Sequence, residues 1–432
     1  MLMAREWRAD FQMYLLRTYE KPVICFTMNI PGALKLTPLI RRSFYRGLAE
    51  LDQSLPNVIF RTVREEHTGC EAYFAVDADA IELKSICTRI EDATSLGRLF
   101  DMDVTDIDGT RLYRSLVNSK SRDCIVCGAA GRGCASRRIH SAEVLMAATD
   151  RIMTDFFYQK DGRRVAGLAV QSLLDEVHTT PKPGLVDQQN SGSHRDMELS
   201  TFVASAEALY PYFLECFCQG HETADMTPED TFSHLRHAGI RAEHEMFRVT
   251  GGINTHKGAI FTLGILCGAL GRLWTAANPI APLEDITNHC AAMGKVSLQD
   301  LENITVPSTA GEVLYKNHGL TGIRGEAAAG LPSVVETGLA TYRMAQSSGY
   351  STNDSAAVAL IHLIARVEDS NLHHRGGASG AAWAKQEAKK LLPLPDMAQS
   401  IELDNRFIAR NLSPGGCADL LAATLFLASL YE

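Results

Sequence analysis

What this 432-residue chain lacks closes off several classes of protein. Long hydrophobic runs are missing: the longest, such as AIFTLGILCGAL, fall short of the roughly 20 apolar residues a membrane-spanning helix needs. The opening MLMAREWRADFQ carries charges where a signal peptide would need an apolar core, so export is not expected. A basic excess is missing too. Residues 1–150 hold equal numbers of basic and acidic side chains, and the net charge of −9 belongs entirely to the remainder. Neither part has the electrostatic footprint of a nucleic-acid binder, and the two parts differ in charge as separate units would. Eleven cysteines, odd in number and scattered, fit reduced thiols in the cytoplasm rather than a disulfide framework. No internal repeat and no Pro/Ser-rich linker is evident. What remains is an ordinary soluble composition, 46% hydrophobic and 22% charged, in a chain long enough for two or three domains.

The stretch HTTPKPGLVDQQNSGSHRDM, from His178 to Met197, has no apolar periodicity and lies between two helical patterns. It gathers two prolines, two glycines, two histidines, a lysine, an arginine and two aspartates. An ordered polar loop of this length between helices is a usual place for ligand chemistry.

Before it, the patterns are mixed. KPVICFTMNIPG, NVIFRTV and CEAYFAVD read as strands, while RRSFYRGLAELDQSL and AIELKSICTRIED have helical spacing. LFDMDVTDIDGTRLYR alternates into an Asp-Gly turn, a hairpin signal. The first unit is therefore expected to be α+β. On its acidic strand Asp101 and Asp103 lie two apart, so both carboxylates share one face. Side by side they repel unless a cation lies between them, and Mg²⁺ suits such oxygen ligands and phosphate substrates. Asp106 and Asp108 fit the capping of the turn. CIVCGAAGRGCASRRIH offers Cys124, Cys127, Cys134 and His140 as a zinc-ligand set, although the last two spacings match no common zinc module. Its AAGRG could equally cradle a phosphate. Arg132, Arg137 and Arg138 form one basic cluster and Arg41 and Arg42 another, either phosphate or partner docking points or solvated faces.

REWRADFQ, PVICFTMNIPG, TGCEAYFAVDADA, IEDATSLGRLFDMDV and CIVCGAAGRGCASRRIHS together resemble the citrate lyase holo-acyl-carrier-protein synthase family over nearly all of residues 1–145. The resemblance implies a nucleotidyltransferase-like domain. Its reaction moves a phosphoribosyl-dephospho-coenzyme A unit from a triphosphate precursor to a serine of the citrate lyase acyl carrier (gamma) subunit, releasing diphosphate. It also implies that Asp101 and Asp103 hold Mg²⁺ against the triphosphate, with Arg98 on its oxygens, and that the enzyme works by positioning and charge neutralisation.

The break between units is expected between about His140 and Asp161, giving domains of 1–150 and 151–432; the sequence leaves open whether the joint is helical or flexible. Beyond it helical periodicity dominates: VAGLAVQSLLDEV, FVASAEALYPYFLECF, KGAIFTLGILCGALGRLW, AAVALIHLIARVED and ADLLAATLFLASLYE predict an all-α domain of ten or so helices. TGGINTHKG, HHRGGASG and SPGGCADLL read as glycine-rich loops ahead of helices, places where free amides and the helix dipole favour anions.

TPKPGLVD, SGSHRDM, TGGINTHKGAIFTLG, VEDSNLHHRGG and NLSPGGCADLLA resemble the triphosphoribosyl-dephospho-coenzyme A synthase family from about Val165 onward. That family joins ATP to 3′-dephospho-coenzyme A and expels adenine, which supplies the first domain's substrate. The 2′-hydroxyl of the acceptor must attack C1′ of the ATP ribose through an oxocarbenium-like transition state favoured by carboxylates. Asp187, Asp196 and Asp369 are the carboxylate candidates, with His194 and His256 as alternatives for proton transfer. Mg²⁺, Lys182, Lys257, Arg375 and the amides around Gly251, Gly252 and Gly376 are expected to hold the triphosphate, and Asn254 and Asn371 to orient ribose hydroxyls. His234, His237 and His244 are read as structural. The combined expectation is a bifunctional cytoplasmic transferase, with no nucleic-acid or membrane partner. Three rivals are the corresponding malonate decarboxylase enzyme, a hydrolase of the ATP or ADP-ribosyl glycosidic bond, and a non-catalytic carrier-binding scaffold.

Overall fold

The segment VICFTM is apolar at almost every position, and it becomes the centre of a five-stranded antiparallel sheet. A computed structural model describes residues 2–129, 134, 137, 139–307 and 309–431. It divides into two compact units, 1–160 with 275–278, and 161–274 with 279–432.

The first unit opens with helix α1 (Leu2–Tyr19), followed by β1 (Val23–Met28), α2 (Pro38–Ser54), β2 (Val58–Glu66), β3 (Gly69–Val76), α3 (Ala80–Ala93), β4 (Phe100–Thr105) and β5 (Arg111–Leu112). Strand order is β2-β3-β1-β4-β5. Alternation along the strands divides the side chains between two faces. On one face Phe26 stacks on Phe44 at 4.7 Å and meets Phe100 edge-on at 5.3 Å, beneath α2. On the other, Val23, Cys25, Tyr73 and Ala75 pack with Leu15 and Leu16 of α1. Asp101 and Asp103 stand opposite Thr27 and Cys25 in the β1–β4 register, on the α1 side.

The expected strands and helices of this unit are present, with the Asp-Gly turn between β4 and β5. Asp106 accepts from Ile107 N at 2.7 Å and Asp108 from Thr110 N at 2.8 Å, so both organise the turn. Helix α1 was not anticipated. Its signal is the spacing of Trp7, Phe11 and Leu15, which carries Phe11 onto Tyr73 at 4.9 Å. Arg41 pairs with Glu65 at 3.0 Å, and Arg42 lies 3.8 Å over the Phe157 ring. Arg132, Arg138 and most of the AAGRG stretch lie outside the described residues.

Helix α4 (Ala142–His178) runs through the division between residues 160 and 161. The expected boundary at 150 lies inside it. The second unit continues with α5 (Leu199–Ala208), α6 (Tyr210–Glu222), α7 (Pro228–Val249), α8 (Lys257–Leu273), α9 (Leu283–Glu302), α10 (Ala310–His318), α11 (Gly322–Ala328), a π-helical turn (Ser333–Leu339), α12 (Ala340–Ser347), α13 (Thr352–Arg366), α14 (Ser370–Lys390), α15 (Met397–Ala409) and α16 (Gly415–Leu430). Helices α8, α13 and α16 are apolar nearly all round and buried along most of their length, as the centre of a helical domain requires.

Two expectations change here. FVASAEALYPYFLECF is two helices, because Pro211 supplies no amide and favours a fresh first turn. HHRGGASG is not one open loop ahead of a helix. Asp369 caps α14 at Ser370, and Gly377, at φ +63° and ψ −172°, divides it into two helical segments, the second of which starts within the glycine-rich stretch. Among the described residues, no helix is long and apolar enough to cross a membrane.

Candidate active sites

In the first unit the acidic strand is held from behind. Glu91 of α3, only 3% exposed, accepts from Met102 N at 2.8 Å, pairs with Arg114 at 2.7 Å and Arg122 at 2.6 Å. Arg122 also donates to the Phe100 carbonyl at 2.7 Å. These bonds pin Phe100 and Met102, leaving Asp101 and Asp103 turned the other way. Asp103 pairs with Arg111 of the neighbouring strand. Asp101 opens onto a cavity of about 190 Å³ that also takes in Arg5, Arg8, Thr27, Asn29 and Lys35. Loss of solvation there, then the charges of Asp103 and Glu91, raise the Asp101 pKa above the ordinary carboxylate value. A carboxylate held next to its like, beside two arginines and a lysine, suits a cation together with a polyphosphate. Arg98 does not line this cavity; its guanidinium donates to the Asp123 carbonyl.

The second unit encloses a cavity of about 990 Å³, at the upper end of ligand sites. Lys182, His194, Asn254, His256, Lys257, Asp369, Asn371 and Arg375, drawn from segments almost 200 residues apart, line it together. The loop after α4 reaches the wall because its backbone is tied down on every side. Asp187 accepts from Lys182 N, Gln189 N and Asn190 N at 2.7–3.1 Å. Asp404 accepts from Gly184 N and the Asn190 amide at 2.8 and 3.0 Å, and Asn353 exchanges hydrogen bonds with Thr180.

Several candidates lie outside the cavity lining. Asp187 is occupied by its own loop. Asp196 is exposed and acts on Arg375 and His194 only through its charge. Gly251 and Gly252 form the turn after α7, where Gly252 N donates to the Phe247 carbonyl at 2.7 Å. Gly376 packs in α14, where an added Cβ would meet Leu412 at 2.5 Å. His234, His237 and His244 are exposed on α7, away from the cavity.

Sequence reasoning passed over several carboxylates of the cavity wall, of which Glu176 and Asp419 are the most deeply set against other charged groups. Lys182, 1% exposed, donates to Glu176 at 2.6 Å. Burial raises the Glu176 pKa, and Lys182 opposes the rise. Among the described residues Asp419 has no such cation, although it accepts from Ala259 N. Desolvation, then the charges of Glu176 and Asp369, raise it well above the ordinary range. Helix α8 comes so close that a Cβ on Gly258 would lie 2.0 Å from the Asp419 carboxylate. Asp369 is raised by burial too, but its oxygens are engaged. Oδ1 accepts from Asn371 N and Leu372 N at 2.7 and 3.0 Å, and Oδ2 from Cys417 N at 2.8 Å. It fastens the first turns of α14 and α16 together.

Two histidines on the wall are held neutral. Burial lowers His256 to about 3; its Nδ1 meets Ser205 Oγ at 2.8 Å, while its buried Nε2 has no partner among the described residues. Burial, then Arg375, lowers His194 to about 4, with Nε2 2.9 Å from Ser413 Oγ. Arg324, Arg366, Arg375 and Lys257 bring positive charge to the same cavity. The missed acids had signals. Glu176 sits near a helix C-terminus, where the dipole disfavours an acid without a partner. Asp419 is the lone charge in GGCADLLAATLFLASL.

Comparison with known proteins assigns both units. Residues 1–156 match the model of apo-citrate lyase phosphoribosyl-dephospho-CoA transferase, and residues 162–432 that of ATP:dephospho-CoA triphosphoribosyl transferase. Protein CitXG of Haemophilus influenzae is 34% identical, covering 99% of this chain and 95% of its own. Protein CitXG of Leuconostoc mesenteroides subsp. cremoris is 31% identical over the same shares. A probable 2-(5''-triphosphoribosyl)-3'-dephosphocoenzyme-A synthase of Albidiferax ferrireducens is 41% identical, over 63% of this chain and 92% of its own. The chain belongs to the family that fuses these two transferases, and it is a bifunctional enzyme of citrate lyase prosthetic-group biosynthesis.

Proposed function

We propose that the helical unit makes 2'-(5''-triphosphoribosyl)-3'-dephospho-CoA from ATP and 3′-dephospho-CoA with release of adenine. The α+β unit then transfers the phosphoribosyl-dephospho-CoA group to a serine of the citrate lyase acyl carrier subunit with release of diphosphate. The observation that carries the first half is the joining of Glu176, Lys182, His256 and Asp419 in one cavity of about 990 Å³. Its size suits two nucleotide-sized substrates side by side.

Attack of the 2′-hydroxyl oxygen on C1′ breaks the bond from C1′ to adenine, so the base departs with one extra proton while the hydroxyl loses one. Asp419, whose surroundings favour its protonated form, gives that proton to adenine, and the hydroxyl proton restores it. Glu176, paired with the Lys182 ammonium, faces the positive charge that develops on the ribose. The neutral His256 offers its free Nε2 for substrate orientation. Arg324, Arg366, Arg375 and Lys257 hold the triphosphate, and Asn254 and Asn371 the ribose hydroxyls.

In the first unit the reading is nucleotidyltransferase-like. Asp101 and Asp103 are hard oxygen donors on one face and would hold Mg²⁺, which supplies charge neutralisation on the triphosphate. Arg5, Arg8 and Lys35 add charge from the cavity wall, and the carrier serine is the nucleophile. The same reading is of a cytoplasmic enzyme without nucleic-acid or membrane partners.

The test is direct: the purified chain is incubated with ATP, Mg²⁺ and 3′-dephospho-CoA and analysed by chromatography and mass. Free adenine with a triphosphoribosylated adduct, both dependent on the acceptor, is expected. Adenine appearing without the acceptor would replace the synthase with a hydrolase.

A further inference from the structure

The transfer chemistry leaves Cys124, Cys127, Cys134 and His140 without a use. The other eight cysteines are scattered, and all but Cys218 are buried, where thiols behave as small apolar side chains. These three differ: Cys127 is exposed, and Cys124 and Cys134 are half-buried. Their sulfurs and a His140 ring nitrogen lie within 4.8 Å of one another. Cys127 Sγ is 3.5 Å from Cys134 Sγ. Tetrahedral zinc with thiolate ligands at about 2.3 Å sets donor separations of roughly 3.3–3.8 Å, so a small contraction completes the shell.

The local backbone is shaped for the same task. Cys124 to Ala129 closes as a tight turn, with Gly128 N donating to the Cys124 carbonyl at 3.0 Å and Cys124 N to the Ala129 carbonyl at 2.9 Å. Gly128, at φ +69°, takes the left-handed conformation that lets the turn close directly after the second cysteine. Val126 N points at Cys124 Sγ at 3.5 Å, the kind of amide that stabilises a thiolate. Independently of the sulfurs, His140 Nε2 is buried and has no hydrogen-bond partner among the described residues. A buried ring nitrogen left without a partner is costly unless something fills its lone pair.

We propose that Cys124, Cys127, Cys134 and His140 form a closed structural zinc site, separate from the Mg²⁺ chemistry of Asp101 and Asp103. Three thiolates and an imidazole are a borderline-soft donor set that favours zinc over hard cations. With all four positions taken by protein, the ion has no open place for substrate. Its work is positional. Cys124 follows directly on Asp123, whose carbonyl receives the Arg98 guanidinium, and on Arg122, which donates to the Phe100 carbonyl next to Asp101. Clipping the chain at Cys124 fixes the strap that lies on the base of the acidic strand. This inference stands apart from the assignment of the two reactions, since it rests on donor geometry alone.

The experiment measures metal in the full chain purified without added metal or chelator, beside Cys127→Ser and His140→Ala. About one zinc per chain is expected, falling to near zero in Cys127→Ser. After exchange with cobalt, the intact chain should show intense sulfur-to-cobalt absorption and tetrahedral ligand-field bands; His140→Ala, with its three thiols kept, should alter the ligand-field bands. Circular dichroism and the unfolding transition of the sheet unit serve as the check that each variant is folded. Zinc at equal levels in the intact chain and Cys127→Ser would overturn the site. So would a chain that, fully reduced and supplied with zinc, binds none, or one whose Cys127 and Cys134 are recovered as a disulfide without metal.

Discussion

Lys182 places its ammonium 2.6 Å from the Glu176 carboxylate, with both side chains almost wholly withdrawn from solvent. The lysine comes from the loop after α4 and the glutamate from the helix itself, so the pair sets how the loop meets the cavity. Removing one partner leaves a buried charge unmatched. Lys182→Met should destabilise the helical unit by about 3–5 kcal/mol, whereas Lys182→Met with Glu176→Gln should recover much of the loss. Urea unfolding followed by helical signal checks this; a single variant no worse than the double would remove the argument.

Asp369 and Asp419 are both buried in effect, but Asp369 accepts three backbone hydrogen bonds whereas Asp419 accepts from Ala259 N. Asp419→Asn should lower adenine release by about 10²–10⁴-fold with a smaller loss of stability than Asp369→Asn, because it removes a proton carrier while an amide oxygen can still accept from Ala259 N. Asp369→Asn should cost about 1–3 kcal/mol of stability, since an amide nitrogen turned toward Cys417 N cannot accept its hydrogen bond. Denaturation curves and adenine assays on the same two proteins separate the roles. Equal stability losses would contradict the division.

His256 gives a pH signature. Burial holds it at about 3 in the folded protein, against an ordinary value of 6.5. Above pH 6.5 neither state is protonated and its contribution is complete. As pH falls from 6.5 toward 3 the unfolded chain takes up the proton that the folded one refuses, and stability is lost at about 1.4 kcal/mol per pH unit. The His256→Gln variant lacks this loss. Relative to the native chain it should gain about 2 kcal/mol between pH 7 and pH 5, and parallel stability curves would refute the assignment.

Glu91 is the corresponding anchor in the first unit. Glu91→Leu takes the carboxylate from Arg122, leaves Arg114 only Asp92 as a carboxylate partner, and removes the acceptor of Met102 N. A loss of about 3–5 kcal/mol in that unit is expected, with transfer to the carrier falling while adenine release persists. Unfolding followed at the sheet, beside both activity assays, tests it. Parallel loss of adenine release would mean that the effect is not local.

Much of this architecture was legible in the sequence, for definable reasons. Strands such as VICFTM and the amphipathic helices follow from periodicity, which reports burial of one face. The polar motifs with Lys182, Asn254, His256 and Asp369 stand out because apolar patterning stops there, and the fold brings them to one cavity. Pairing across the chain was not legible. Nothing local announces that Glu176 is buried against Lys182, that Asp419 sits against Gly258, or that Asp187 is consumed by its own loop. HHRGGASG reads as a loop by composition; the Asp369 cap starts a helix before it, and the chain leaves helical geometry at Gly377 before a second helix continues.

If the two reactions occupy two separate units, single substitutions should separate the half-reactions. Asp101→Asn should release adenine from ATP and 3′-dephospho-CoA at the native rate but fail to load the carrier subunit. Asp419→Asn should fail to release adenine yet load the carrier when given the triphosphoribosyl intermediate. Loss of both half-reactions in either variant, with the protein folded, would contradict the two-site account.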